Sequence, residues 1–220
     1  MSYIDFLSSL HKKTKRDYLA RVNEFPKAEA AKIAKQFGFD YWDGDRKFGF
    51  GGYNYDGRWR SVAAAIVTHY QLTAGDRILD IGCGKAFLLY EFTQILPGVE
   101  VCGIDISQYA IENAKSEVRP FLHAASATDL PFEEGSFDLV VSINTIHNLY
   151  CNDLDLSFRE IERVGKKKKY IVVESYRNEA EKTNLLYWQL TCESFYTPQE
   201  WAWWFRHCGY TGDHSFIYFE

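Results

Sequence analysis

Two carboxylates and three small residues carry the first chemical reading of this chain. Asp80 stands two residues before Gly82 in the run Arg77-Ile78-Leu79-Asp80-Ile81-Gly82-Cys83-Gly84-Lys85-Ala86, and Asp105 ends the apolar run Val101-Cys102-Gly103-Ile104-Asp105. Each run reads as a buried strand, and the first ends in a glycine turn that opens a helix, where a backbone can come close to a polar ligand. The glycine pattern alone is weak evidence, because it shortens here to Gly82-x-Gly84-x-Ala86. The second acid adds weight. Asp105 falls 23 residues after Gly82, about where a nucleoside-binding βαβ unit places the carboxylate that holds a ribose. Its two oxygens can accept from both ribose hydroxyls.

An acid ahead of the glycines separates this turn from the usual nicotinamide site. The stretch from Arg77 to Asp138 resembles the class I S-adenosylmethionine-dependent methyltransferases. Three motifs carry the resemblance in order: Leu79-Asp80-Ile81-Gly82-Cys83-Gly84, then Gly103-Ile104-Asp105-Ile106-Ser107, then Leu130-Pro131-Phe132-Glu133-Glu134-Gly135-Ser136-Phe137-Asp138. It continues through His147 and Glu160-Ile161-Glu162-Arg163-Val164 toward the end of the chain. The resemblance implies S-adenosylmethionine as cofactor and assigns it residues. Asp80 would organise the turn and face the methionine amine, while Gly82, Cys83 and Gly84 would lie against the methionine and ribose. Asp105 would hold the ribose, Ile106 would flank the adenine, and Asn144 would close over the methionine portion. The acid often found at the adenine edge is Ser126 here, which leaves that edge to Ala127, Thr128 and the backbone.

Methyl transfer from a sulfonium needs no nucleophilic side chain and no metal; the acceptor attacks in line while the enzyme positions it and excludes water. The sequence can therefore offer only a base and groups that hold the acceptor. His147 is the base candidate, at the carboxyl end of the fourth strand, where ligands of such sheets bind. Glu174, Tyr176 and Arg177 follow the fifth strand. Tyr53, Tyr55, Arg58 and Trp59 lie in the glycine- and aromatic-rich segment from Phe48 to Arg60, which reads as a lid. His147, Glu174, Tyr53 and Tyr55 are expected around the reacting atom. Arg58, Trp59, Tyr176 and Arg177 are expected to hold the acceptor, with arginine selecting carboxylate or phosphate.

Composition bounds the partners. In 220 residues, 25 Lys and Arg stand against 30 Asp and Glu, a net charge of −5 that disfavours a broad phosphate-gripping surface and hence nucleic acid. Five cysteines, odd in number and without C-x-x-C spacing, argue against a disulfide framework, a zinc site or a radical iron–sulfur enzyme and fit a reduced cytoplasm. No signal segment or membrane-length apolar run is read, and a homo-oligomer stays open. The leading expectation is methylation of a small, anionic metabolite on oxygen or nitrogen. Two rivals are an RNA or protein methyltransferase and a cofactor-binding, non-catalytic scaffold. The first lacks a basic groove and has Ser142-Ile143-Asn144-Thr145 where base N-methylating enzymes often carry Asn-Pro-Pro-Tyr.

These residues need a scaffold that gathers strand ends. Strands are expected near 77–81, 100–105, 120–124, 138–143, 169–174 and 215–220, alternating with helices near 61–70, 86–95, 108–117 and 153–164. Such alternation predicts a Rossmann-like, doubly wound α/β sheet with helices on both faces. The family resemblance adds an antiparallel last strand. Thr197, Pro198 and Glu200 predict a capped helix start, and Trp201, Trp204, Phe205 and Cys208 its apolar stripe. The run Lys166–Lys169 reads as a solvated loop. Residues 1–60 are expected to form a helical extension and lid and residues 61–220 the core, and the family resemblance implies that an insert near 178–196 covers the acceptor.

Overall fold

The computed structural model describes residues 1–11 and 16–220, so residues 12–15 of the expected helical extension lie outside the described residues. Six strands form one sheet in the order β3-β2-β1-β4-β5-β6: β1 (Arg77–Ile81), β2 (Glu100–Asp105), β3 (Leu122–Ala124), β4 (Phe137–Ile143), β5 (Gly165–Glu174) and β6 (Asp213–Ile217). The order reverses between β1 and β4. In open α/β sheets that switch point, at the carboxyl ends of the strands, is where ligands sit.

Alternation of side chains divides the core into two layers. Ile78, Leu139, Val141 and Val172 face one side, where they pack with Val62 and Ile66 of α5 (Arg60–Tyr70) and Leu89 and Phe92 of α6 (Phe87–Ile95). Leu79, Ile81, Val140 and Ile171 face the other, against Leu154, Phe158 and Ile161 of α8 (Cys151–Val164) and Trp201 and Phe205 of α10 (Pro198–His207). The period-two strands and period-3.6 helices thus bury their apolar stripes on both sheet faces, as the pattern predicts. Thr197 caps α10 through a complete capping box. Shorter helices complete the chain: α1 (Ser8–His11), α2 (Tyr18–Asn23), α3 (Lys27–Ala34), α4 (Phe39–Trp42), α7 (Gln108–Glu112) and α9 (Glu179–Trp188).

Two expectations are corrected. The last strand is parallel, not antiparallel: Tyr170 pairs with Asp213 and Glu174 with Ile217 in parallel register. The physical reason is the connection. Helix α10 carries the chain back across the sheet before β6, whereas an antiparallel partner for β5 would have to arrive from the other end. The run Lys166–Lys169 is not a loop but the first half of β5. Three of its four charges find acids near that end of the sheet, Lys166 with Asp138 at 2.7 Å, Lys168 with Asp76 at 3.7 Å, and the buried Lys169 with Glu162 at 3.0 Å, while Lys167 is exposed.

Candidate active site

The turn after β1 is built on left-handed backbone. Gly82 has φ +79° and Gly84 φ +54°, and Ala86 takes φ +57° at the start of α6. A side chain on Gly82 would collide with Thr145, which follows β4. The amides of Gly82 and Cys83 both donate to Ile104 O, at 2.8 and 2.9 Å, so the turn is laced to β2. Cys83 is buried and its Sγ lies beneath Gly103.

Asp105 is fixed at the end of β2. Its Oδ2 accepts from the Gly84 amide at 2.7 Å and its Oδ1 from the Ser107 amide at 2.8 Å. Burial raises its pKa, opposed by hydrogen bonds from the Ser107, Gly84 and Ile106 amides. Each carboxylate oxygen has two lone pairs, so each retains one for a ligand hydroxyl. Ile106, the next residue, is 69% exposed, an apolar surface beside that carboxylate.

Asp80 is different. It lines a small cleft with Tyr53, Trp59, Gly82, Cys83, Phe87, Leu88 and Ile143. It is buried, and burial followed by repulsion from Asp105 pushes its pKa up to about 8, with no hydrogen-bond donor offsetting either cause. A carboxylate held this way calls for a cation. Tyr53 stacks on Phe87 at 5.0 Å, accepts from Trp59 Nε1 at 3.0 Å, and is pushed by burial to about 12, so it remains a neutral hydroxyl facing the cleft.

Further structure closes the cleft from the N-terminal side. Trp42 lies over Gly84 and donates to Ser107 Oγ at 2.9 Å, while Asp43 grips the buried Lys85 with both oxygens at 2.7 Å and accepts from Tyr109 at 2.7 Å. Trp42, Asp43, Lys85 and Thr145 are site-building residues that the sequence reading missed. Only Lys85, inside the glycine turn, carried a signal; Trp42 and Asp43 sit in a stretch whose periodicity speaks of packing.

The ends of β4 and β5 bring His147 and Glu174 together. Both are buried, with His147 Nε2 3.5 Å from Glu174 Oε2 and His147 Nδ1 accepting from the Glu174 amide at 3.4 Å. Gln189 donates to Glu174 Oε1. Burial lowers His147 to about 3 and raises Glu174 to about 8. Asn144 is exposed at φ +58°, and Ala127 and Thr128 are half-buried beyond β3, with Thr128 Oγ1 2.7 Å from Ser126 Oγ.

Of the eight residues expected around the reacting atom or holding the acceptor, Tyr53 and Trp59 line the cleft; the His147–Glu174 pair does not, nor do Tyr55, Arg58, Tyr176 and Arg177. The Tyr55 hydroxyl donates to Glu91 at 2.6 Å on α6, outside the cleft. Arg58 is exposed and satisfied by Asp56 at 2.6 Å. Arg177 is held by Glu181 and Glu220, each at 2.5 Å, with its guanidinium over Tyr218. Tyr176 is buried in the core layer shared with α5 and α6. In each case a nearer partner, carboxylate or apolar, has claimed the side chain. Among the described residues no group of three or more His, Cys, Asp and Glu side chains is placed to hold a metal ion, and no helix is long and apolar enough to cross a membrane.

A parallel α/β sheet with an acid before its first glycine turn and another at the end of the adjacent strand defines a nucleoside-binding domain. Comparison with known proteins gives its family. A profile of the methyltransferase domain matches residues 72–209, more than half of the chain. Malonyl-[acyl-carrier protein] O-methyltransferase of Legionella pneumophila is 35% identical over 99 residues, which cover 43% of this chain and 34% of that protein. Demethylmenaquinone methyltransferase of Symbiobacterium thermophilum is 33% identical over 118 residues, 50% of this chain and 46% of that protein. The chain thus matches less than half the length of either relative. YcgJ of Bacillus subtilis shares the fold, with a TM-score of 0.56 at 22% identity over 66% of each chain. The chain belongs to the methyltransferase domain family, class I, whose methyl donor is S-adenosylmethionine.

The residues fit that donor. Asp80 offers a carboxyl without a protein partner, which an ammonium would ionise, Asp105 two acceptor oxygens to a diol, and Ile106 an apolar face to an adenine, with Gly82 and Gly84 between them.

Proposed function

We propose that this protein transfers a methyl group from S-adenosylmethionine to an oxygen or nitrogen of a small, anionic molecule. The observation that carries the reading is Asp80, a buried carboxyl at the cleft with nothing to neutralise it. When bound, the donor supplies an electrophilic methyl on a sulfonium. The chain's residues position the reactants and manage one proton.

Asp80 pairs with the amine and Asp105 with the ribose diol. The segment from Phe48 to Arg60 acts as a lid. The cleft beneath it encloses about 50 Å³, far below the roughly 300 Å³ at which small-molecule sites begin, so the aromatic residues above the glycine turn must lift for entry. Their return excludes water and presents the Tyr53 hydroxyl, already an acceptor for Trp59, as a donor to the reactants.

Glu174 takes the acceptor's proton. Its Oε2 is buried without a hydrogen-bond partner, and with its pKa raised to about 8 the ionised form that acts as base grows as pH rises toward that value, so turnover should rise from neutrality to about pH 8. His147, neutral in its buried site, accepts from the Glu174 amide through Nδ1 and thereby fixes the backbone there, with its Nε2 3.5 Å from the carboxyl. The curated relatives support a small-molecule acceptor, since their names specify a malonyl-carrier and a menaquinone precursor as substrates of those proteins.

The test is partition of label. The protein is incubated with methyl-labelled S-adenosylmethionine and separated pools of small metabolites, RNA and protein, and label is expected in the small-molecule fraction. Label confined to RNA or protein would move the assignment to that class. Glu174→Gln should lower kcat and kcat/KM together.

A further inference from the structure

Three guanidinium groups converge on one indole. The Cζ atoms of Arg21, Arg46 and Arg16 lie 4.9, 5.2 and 5.5 Å from the centre of the Trp188 ring. Arg16 precedes α2, Arg21 lies within it, Arg46 opens a 3-10 turn after α4, and Trp188 ends α9. A face of an indole attracts one cation, but three cations sharing it repel one another. The repulsion is visible in their acidity. Burial and then Arg46 lower Arg21 to about 10; burial and then Arg16 lower Arg46; burial and then Arg21 lower Lys27, nearby, to about 8.

Among the described residues these cations have no carboxylate partner. Arg21 donates to Trp188 O at 3.2 Å and Arg46 O at 2.6 Å, Arg46 to Gly49 O at 2.6 Å and Phe50 O at 3.1 Å, and Lys27 to Leu186 O. The buried Nε of Arg16 has no partner among these residues. Of the acids close in sequence, Asp17 caps α2 through the Ala20 amide, Asp45 pairs with Lys47 and Glu193 pairs with Lys35, while Glu24 acts on Arg21 only through space and forms no ion pair with it. Carbonyls supply dipoles but no charge, so the cluster keeps a net positive charge in a partly buried place. Arg58 and Arg177, by contrast, are already neutralised.

The cluster adjoins the proposed reaction site. Gln189, the residue after Trp188, donates to Glu174, and Arg16 lies close enough to lower the Glu174 pKa in part. On the other side, Phe50 N–H donates to Tyr41 O at 2.8 Å, and Tyr41 packs edge-on against Trp42, the side chain over Gly84. The donor turn and the arginines therefore sit at two ends of one aromatic segment. An open groove of about 510 Å³, lined by Arg16, Tyr18, Asn184 and Tyr187 with Asp17 on its wall, continues outward from Arg16.

We propose that Arg16, Arg21 and Arg46 form an oxyanion subsite over Trp188 that holds the phosphate or carboxylate group of the methyl acceptor. The proposal rests on the methyltransferase reading and names the anchor of its substrate. Guanidinium donors left over after the carbonyl contacts match the planar, paired acceptors of such groups, and the anion relieves the repulsion among the three.

The experiment is a calorimetric titration of inorganic phosphate and of succinate into the full chain at constant ionic strength, with chloride as reference, and of S-adenosylhomocysteine into the same samples. Saturable oxyanion binding is expected. Arg46→Gln and Arg21→Gln should each weaken it tenfold or more, while Arg159→Gln leaves it unchanged. Phosphate binding more tightly than succinate identifies a phosphate ester as acceptor, and the reverse order a carboxylate. Wild-type protein that binds S-adenosylhomocysteine but neither oxyanion overturns the subsite alone, as does equal oxyanion binding by Arg46→Gln. Absence of S-adenosylhomocysteine binding overturns the methyltransferase reading beneath it. If Arg21→Gln does not fold, Arg46→Gln and the chloride reference decide.

Discussion

The indole of Trp42 rests on Gly84: a methyl group added to the glycine would stand 2.7 Å from Trp42 Cη2. The same indole donates to Ser107, two residues after Asp105. Trp42 thereby bridges the ends of β1 and β2 and covers the turn proposed to receive the donor.

That contact makes the extension part of the site and predicts a change on binding. Amides from Tyr41 to Trp59 should exchange faster in the free protein than with S-adenosylhomocysteine bound, because the aromatic cover must lift and then re-pack. Hydrogen exchange followed by mass spectrometry measures this. Equal protection in the two states would show a cover that stays in place.

Gly84 should also couple to Trp42 energetically. Gly84→Ala meets both the indole and a left-handed backbone, which costs an L-residue about 1–2 kcal/mol. S-adenosylhomocysteine affinity is expected to fall at least tenfold. In the Trp42→Ala background the same change should cost less, since the clash is gone and only the backbone term is left. Strictly additive losses would place the two residues in separate roles.

The pKa of Asp80, about 8 in the free protein, predicts proton release. At pH 7 the free carboxyl is mostly protonated, and pairing with a ligand ammonium ionises it. Binding of S-adenosylhomocysteine should therefore release close to one proton at pH 6.5–7, read from calorimetry in buffers of different ionisation enthalpy. Asp80→Asn should abolish the release. An unchanged buffer dependence in that variant contradicts the role given to Asp80.

Glu174 makes a prediction about stability. Its folded pKa, about 8, lies above the ordinary value of 4.5, so the folded state holds a proton that the unfolded chain has lost between those pH values. Stability from this group is complete below about pH 4.5 and declines as pH rises to 8. Relative to Glu174→Gln, the wild type should lose up to about 1.4 kcal/mol per pH unit across that window. Urea unfolding at pH 5 and pH 8 measures the difference, and parallel behaviour of the two proteins would rule out a buried, protonated Glu174.

Much of the scaffold was legible because it rests on local rules. Short continuous apolar runs gave the strands around Leu79 and Val140, and the Thr197–Glu200 capping box gave the start of α10. The two acids proposed to hold the donor, Asp80 and Asp105, stand out in the sequence because they lie in short motifs at strand ends. What was illegible depends on pairing at a distance. The lysine run at 166–169 reads as a loop until Asp138, Asp76 and Glu162 are seen to pair with three of its four charges. Arg58 and Arg177 read as free cations until Asp56, Glu181 and Glu220 claim them, and Arg16, Arg21 and Arg46, scattered along the extension, gain meaning only around Trp188. The direction of β6 likewise follows from the crossover of α10, not from the residues of the strand.

The central claim, that the turn between β1 and α6 with Asp105 holds the methyl donor, is tested most directly by calorimetric titration of S-adenosylmethionine and S-adenosylhomocysteine into the wild type and Asp105→Ala. The account predicts binding near micromolar Kd, about −8 kcal/mol, and a loss of at least tenfold in the variant, whose missing carboxylate also frees the Gly84 and Ser107 amides. Wild-type protein that binds neither ligand, or a variant that binds both as tightly, would contradict it.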